Sequence, residues 1–130
     1  MSDLLKSLNA AQAHAVQQTE GPVLALAGAG TGKTHVLITR IAYIVEQNLA
    51  EPHEILAVTF TNKAAAEMQE RLSQKAGNVR FQWCGTFHSI AVRILRSHID
   101  MIGFERSFTI LDVDDQIRVL EEIIDEHIPA

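Results

Sequence analysis

The segment Ala25-Leu-Ala-Gly-Ala-Gly-Thr-Gly-Lys-Thr34 decides how the rest of the chain is read. A short apolar run, residues 23–27, leads into alternating glycines and a Lys-Thr pair. It approximates the phosphate-cradling pattern G-x-x-x-x-G-K-[ST], with Ala27 in place of the first glycine. Gly28, Ala29, Gly30, Thr31 and Gly32 would form the loop. Glycines let successive N–H groups turn inward as an anion nest, and a helix beginning at Lys33 adds its positive dipole end. Lys33 would reach the β- and γ-phosphates as a point charge, and the Thr34 hydroxyl would be a ligand for Mg²⁺. The competing reading is an ordinary glycine-rich turn with an incidental lysine. An apolar run before and a helical pattern after favour the cradle.

Outward from this loop, strands and helices alternate. Asn9 is placed as the N-cap of a short helix ended by Gly21-Pro22. Residues 23–27 suit a buried parallel strand, and Val36, Leu37, Ile41, Ile44 and Val45 recur at helical spacing after it. Residues 54–60 read as a second strand and 64–76 as a helix stopped by Gly77-Asn78. Residues 79–84 alternate as a third strand, and 89–99 follow as a helix. A short extended piece, 107–111, leads to a last helix capped by Asp112. Such alternation predicts an α/β fold, a parallel sheet with flanking helices and an unfinished edge.

Composition sets limits without naming a role. Apolar residues make up 47% and charged residues 21% of the 130-residue chain, so it can bury a core. The net charge of −5 is concentrated in residues 109–130, which carry one basic and seven acidic side chains. Residues 1–108 carry ten basic against nine acidic, so overall charge decides little about nucleic acid. Cys84 is the sole cysteine; no internal disulfide forms and a reducing, cytoplasmic setting is expected. No secretory signal or membrane span is apparent. The six histidines show no metal-ligand spacing, and no nucleophile motif for acyl chemistry occurs.

Five ordered segments narrow the function: LNAAQ, AGAGTGKT, AVTFTNKAAAEMQERL, GTFHSIAVRILR and FTILDVDDQ. In order and spacing they resemble the start of the superfamily 1 DNA helicases of UvrD/PcrA/Rep type, over nearly the whole chain. The resemblance implies a RecA-like P-loop NTPase domain, with residues 1–110 forming the front of motor domain 1A. Residues 111–130 would open an inserted helical subdomain, 1B. It further implies a translocase that uses ATP and Mg²⁺ to move 3′ to 5′ on single-stranded DNA and open duplex junctions.

Residue by residue, Gln12 matches the family's adenine-reading glutamine, whose amide can pair with the N6–N7 edge. It is equally placed to complete a capping box with Asn9. Residues 59–62 match a segment touching single-stranded DNA: Phe60 would stack on a base, and Thr59, Thr61 and Asn62 would bond phosphate or sugar. From the residues alone, Phe60 is as readily a core residue at a strand end. Residues 85–89 match a second DNA segment in which Thr86 and His88 are candidates. Thr86 and Ser89 also suit an N-cap. His35 departs from the arginine usual after Lys-Thr, which puts that arginine's role against the adenine in doubt.

The stretch FTILDVDD, residues 108–115, has the spelling of a magnesium-holding strand ending in Asp112. That role would make the chain a small phosphotransferase. Asp112 before Val-Asp-Asp-Gln is better placed as a helix cap, with Asp114 and Asp115 favouring the helix start. A third alternative is a non-enzymatic module binding through the acidic last helix. With no carboxylate for the attacking water and no arginine finger, the expectation is an N-terminal piece of a longer helicase, inactive in hydrolysis alone.

Overall fold

The computed structural model describes residues 3–128. They fall into two compact units, one running to Val92 and the other beginning at Arg93, a division within α4. The first unit holds α1 (Ala10–Gln17), α2 (Lys33–Glu46), β1 (Leu56–Thr59), α3 (Asn62–Lys75) and β2 (Trp83–Thr86), and α4 (Phe87–His98) starts in it. β1 and β2 are parallel and linked through α3, with Leu56 opposite Trp83, Ala57 opposite Cys84, Val58 opposite Gly85 and Thr59 opposite Thr86.

Local chemistry explains the helix ends. Asn9 accepts the Gln12 N–H at 2.9 Å while the Gln12 side chain accepts the Asn9 N–H at 3.0 Å, a complete capping box. Thr61 caps α3 by accepting the Ala64 N–H at 3.1 Å, so the helix begins ahead of residue 64. At its far end the Asn78 N–H donates back to the Ser73 carbonyl, a Schellman-type close at the expected Gly77-Asn78 stop.

The core forms where α2, α3 and the sheet converge. Ile38, Ile41, Ala57, Met68, Leu72 and Phe81 are buried together, with Val45, Ile55, Ala76 and Cys84 packed against them. Thr39 is fully buried, and its hydroxyl accepts from Lys75 at 2.9 Å, so this polar pair ties α2 to α3 without an orphaned atom. Burial also lowers the Lys75 ammonium pKa.

The sheet corrects the expected strand count. Residues 23–27 are irregular, with Leu24 83% and Leu26 87% exposed, so the anticipated buried strand before the loop is absent. A strand exists only through ladder bonds to a neighbour. Among the described residues β1 and β2 pair with each other alone, which leaves 23–27 without a partner. The other strands are shorter or displaced: Leu56–Thr59 within the expected 54–60, and Trp83–Thr86 rather than 79–84. Residues 107–111 form no strand.

The second unit contains the C-terminal half of α4, a 3₁₀ turn (Ile99–Ile102) and α5 (Val113–His127). Asp112 accepts the Asp115 N–H at 2.8 Å and so acts as the N-cap of α5. Asp100 pairs with Arg106 at 2.7 Å, and that hydrogen bond draws the carboxyl pKa down. The Arg96 guanidinium lies 5.8 Å from the Phe108 ring centroid, within cation–π range. No helix among the described residues is long and apolar enough to cross a membrane.

Candidate nucleotide and nucleic-acid sites

The loop folds over itself at the head of α2. Gly30 and Gly32 take φ of 74° and 81°, the left-handed region that side chains disfavour. Gly32 is the N-cap of α2, and no side chain caps the helix. The first N–H groups of α2 are therefore not taken by a capping residue, as anion binding there requires. The Thr31 hydroxyl donates to the Gly28 carbonyl at 2.7 Å. The Lys33 ammonium donates to the Ala27 and Gly28 carbonyls, each at 3.2 Å, drawing the lysine across the front of the loop. Ala29 and Thr34 are exposed beside it.

Gln12 joins this loop to α1. Its Nε2 donates to the Thr31 carbonyl at 3.1 Å, while Oε1 closes the capping box. Both readings of Gln12 remain compatible, because a carboxamide has two acceptor sites and two donor hydrogens. One of each is used inside the protein, and one of each remains for a purine edge. A Cβ on Gly32 would stand 3.5 Å from Gln12 Nε2, so the loop backbone passes directly under the amide. A cavity of about 590 Å³ opens here, lined among others by Asn9, Gln12, Gly28, Thr31 and Lys33. That size suits a small-molecule ligand.

Two contributors were not legible in the sequence. Arg40 donates to the carbonyls of Ala15 (2.6 Å) and Gln18, a cation on the C-terminal end of α1. It fixes α1, and so Gln12, against α2. Ser7 lies 3.1 Å from His35 Nε2 through its hydroxyl. Neither contact leaves a signal at short sequence separation.

Burial, together with the Lys75 and Arg71 cations of α3, lowers the His35 pKa below its ordinary 6.5. The unfolded chain therefore binds more protons than the folded one as pH falls through that value. The contribution of neutral His35 to stability is complete above pH 6.5 and is lost below it, toward the depressed folded value. Urea denaturation from pH ~7 to ~5 is expected to show stability falling as pH drops, with His35 contributing part of the slope. His35→Gln should flatten that slope; an unchanged slope would assign the loss to other groups.

The second candidate site lies at the carboxyl ends of β1 and β2, where open α/β sheets bind ligands. Because Thr59 pairs with Thr86, the next residues, Phe60 and Phe87, emerge side by side. Their ring centroids are 5.1 Å apart at 43°. Phe60 is 87% exposed, which rules out a core role. Asn62 and His88 are exposed in the first turns of α3 and α4. The Thr59 hydroxyl donates to the Thr61 carbonyl at 3.3 Å. Thr61 is committed as a cap of α3, and buried Thr86 as a cap of α4, accepting the Ser89 N–H at 3.1 Å. Ser89 returns a bond to the Thr86 carbonyl at 3.0 Å. Gly85 permits this close turn, since a Cβ there would lie 2.6 Å from Ser89 Oγ. Phe87 was missed because its neighbour is distant in sequence, although Thr-Phe recurs at both strand ends.

A family model, the UvrD/REP helicase N-terminal domain, matches residues 8–129. The chain belongs to the UvrD/REP helicase family. It is 50% identical over 125 residues to the ATP-dependent DNA helicase PcrA of Staphylococcus aureus strain Mu50 and to that of strain NCTC 8325. The PcrA of Staphylococcus epidermidis strain ATCC 35984 is equally similar. Each alignment covers 95% of this chain and 17% of the relative. This UvrD/REP chain thus spans about a sixth of the length of the curated relatives it matches, and both candidate sites lie within the match.

Proposed function

We propose that the chain forms the front of a RecA-like motor domain of an ATP-dependent DNA helicase, one that moves 3′ to 5′ on single-stranded DNA in the cytoplasm. Residues 1–110 would belong to motor domain 1A and 111–130 to the start of helical subdomain 1B. The nucleotide side is Gln12 with the loop from Ala27 to His35. Gln12 would address the adenine, and the head of α2 with Lys33 would hold the phosphates. Thr34 would take the Mg²⁺, which supplies Lewis-acid neutralisation of phosphate charge when bound. The left-handed glycines, the uncapped α2 and the spare donor and acceptor on Gln12 fit such a ligand.

The register of β1 on β2 carries the DNA assignment, because it gathers two motif segments at the carboxyl end of the sheet with a solvent-facing aromatic ring. Stacking tolerates any base, as a translocase requires. Thr59, Asn62 and His88 would flank the strand, while Thr61 and the buried Thr86, both engaged as helix caps, would hold the two helix starts behind them. Titrating the chain with fluorescent oligo(dT) and with a fluorescent ATP analogue tests both halves. Phe60→Ala should weaken oligo(dT) about 10-fold, from the ~1–3 kcal/mol of a lost stack, and leave nucleotide binding unchanged. ATP turnover by these 130 residues alone should be negligible, since no carboxylate among the described residues lines the cavity to position the attacking water. Unaltered oligo(dT) binding, or robust DNA-stimulated turnover, would refute this reading.

A further inference from the structure

Phe87 belongs to the second motif segment, between Thr86 and His88, and its ring meets Phe60 of the first. Its ring is 48% exposed and stands 5.1 Å from that of Phe60, tilted by 43°. Two arrangements could use a pair of rings: a base clamped between them, or a base on the outer face of one with the other behind it. The spacing decides. Clamping a base requires two carbon–carbon layers, about 7 Å between parallel rings at ~3.5 Å each. The observed rings are closer and inclined, the geometry of a tilted aromatic pair in mutual contact.

The difference in exposure assigns the order. Phe60, 87% exposed, keeps its outer surface open, whereas Phe87 is half-covered and starts α4 behind the Thr86 cap. A lone phenylalanine at a strand end would sample several rotamers, and ordering it on DNA would cost side-chain entropy. A neighbouring ring held by a capped helix restricts it beforehand. We infer that Phe87 is a positioning residue for single-stranded DNA, which buttresses Phe60 so that a base stacks on the outer face of the Phe60 ring. This rests on the DNA reading above and adds to it the group that orients the stacking surface. It also gives the Thr59–Thr86 register a purpose: a slip of one residue would part the two rings.

The test is a double-mutant cycle on the full chain, using oligo(dT) that carries a single 2-aminopurine. Phe60→Ala should weaken binding about 10-fold and abolish the quenching that stacking produces. Phe87→Ala should weaken it about 3-fold, in line with an aromatic pair, and reduce the quenching. Because Phe87 acts through Phe60, the double variant should bind no more weakly than Phe60→Ala alone. Phe87→Tyr should retain affinity and quenching, while a change in unfolding midpoint alone would not move either. Additive losses, or full quenching in Phe87→Ala, would overturn the buttress and leave the DNA reading standing. No effect from Phe60→Ala would instead remove the DNA reading itself.

Discussion

Leu72→Ala is expected to destabilise the first unit by about 3 kcal/mol, within the ~2–5 kcal/mol range for buried leucine truncation. Leu72 has no exposed surface and sits in the cluster shared by α2, α3 and the sheet. The loss combines transfer of the removed atoms with the cavity left among Ile38, Met68 and Phe81. Against a typical total of ~5–15 kcal/mol, this is a large fraction. Urea denaturation followed by circular dichroism should show a lower midpoint with an unchanged slope. Leu26→Ala is the paired control. At 87% exposure it should shift stability by under about 0.5 kcal/mol. If Leu26→Ala costs as much as Leu72→Ala, residues 23–27 pack as a core strand after all.

That control addresses the feature least legible in the sequence. Helix ends were readable because their chemistry is local: Asn9 with Gln12, Asp112 with Asp115, and the stop at Gly77-Asn78 all act within five residues. The segment before the loop was not, since apolar character permits a strand but only a partner makes one. β1 and β2 find each other across α3, whereas Leu24 and Leu26 find no such neighbour among the described residues.

The two candidate sites divide in the same way. Gly32, Lys33 and Phe60 could be named from motif spacing. Ser7, Arg40 and Phe87 could not, because their contacts cross 28, 25 and 27 positions. These three do the orienting: Ser7 meets His35, Arg40 pins the helix that carries Gln12, and Phe87 backs Phe60. Motifs specify the groups that would touch a ligand, and long-range packing specifies how firmly those groups are held.

Lys33→Ala should weaken ATP binding about 10- to 100-fold, from the loss of charge-assisted bonds worth ~1.5–3 kcal/mol. In the free chain the ammonium bridges the Ala27 and Gly28 carbonyls, so it already lies along the loop that would surround the phosphates. Those carbonyls belong to exposed residues and can exchange the lysine for water, so folding stability should change by less than about 0.5 kcal/mol. Lys33→Arg should not rescue affinity, because a planar fork cannot replace a compact ammonium within so tight a loop. Adenosine supplies the internal standard: it carries the base without the phosphates, so Lys33→Ala should leave its binding unchanged. Gln12→Ala should weaken adenosine and ATP by the same factor. If Lys33→Ala weakens both ligands equally, the lysine serves to shape the loop and the phosphate assignment fails.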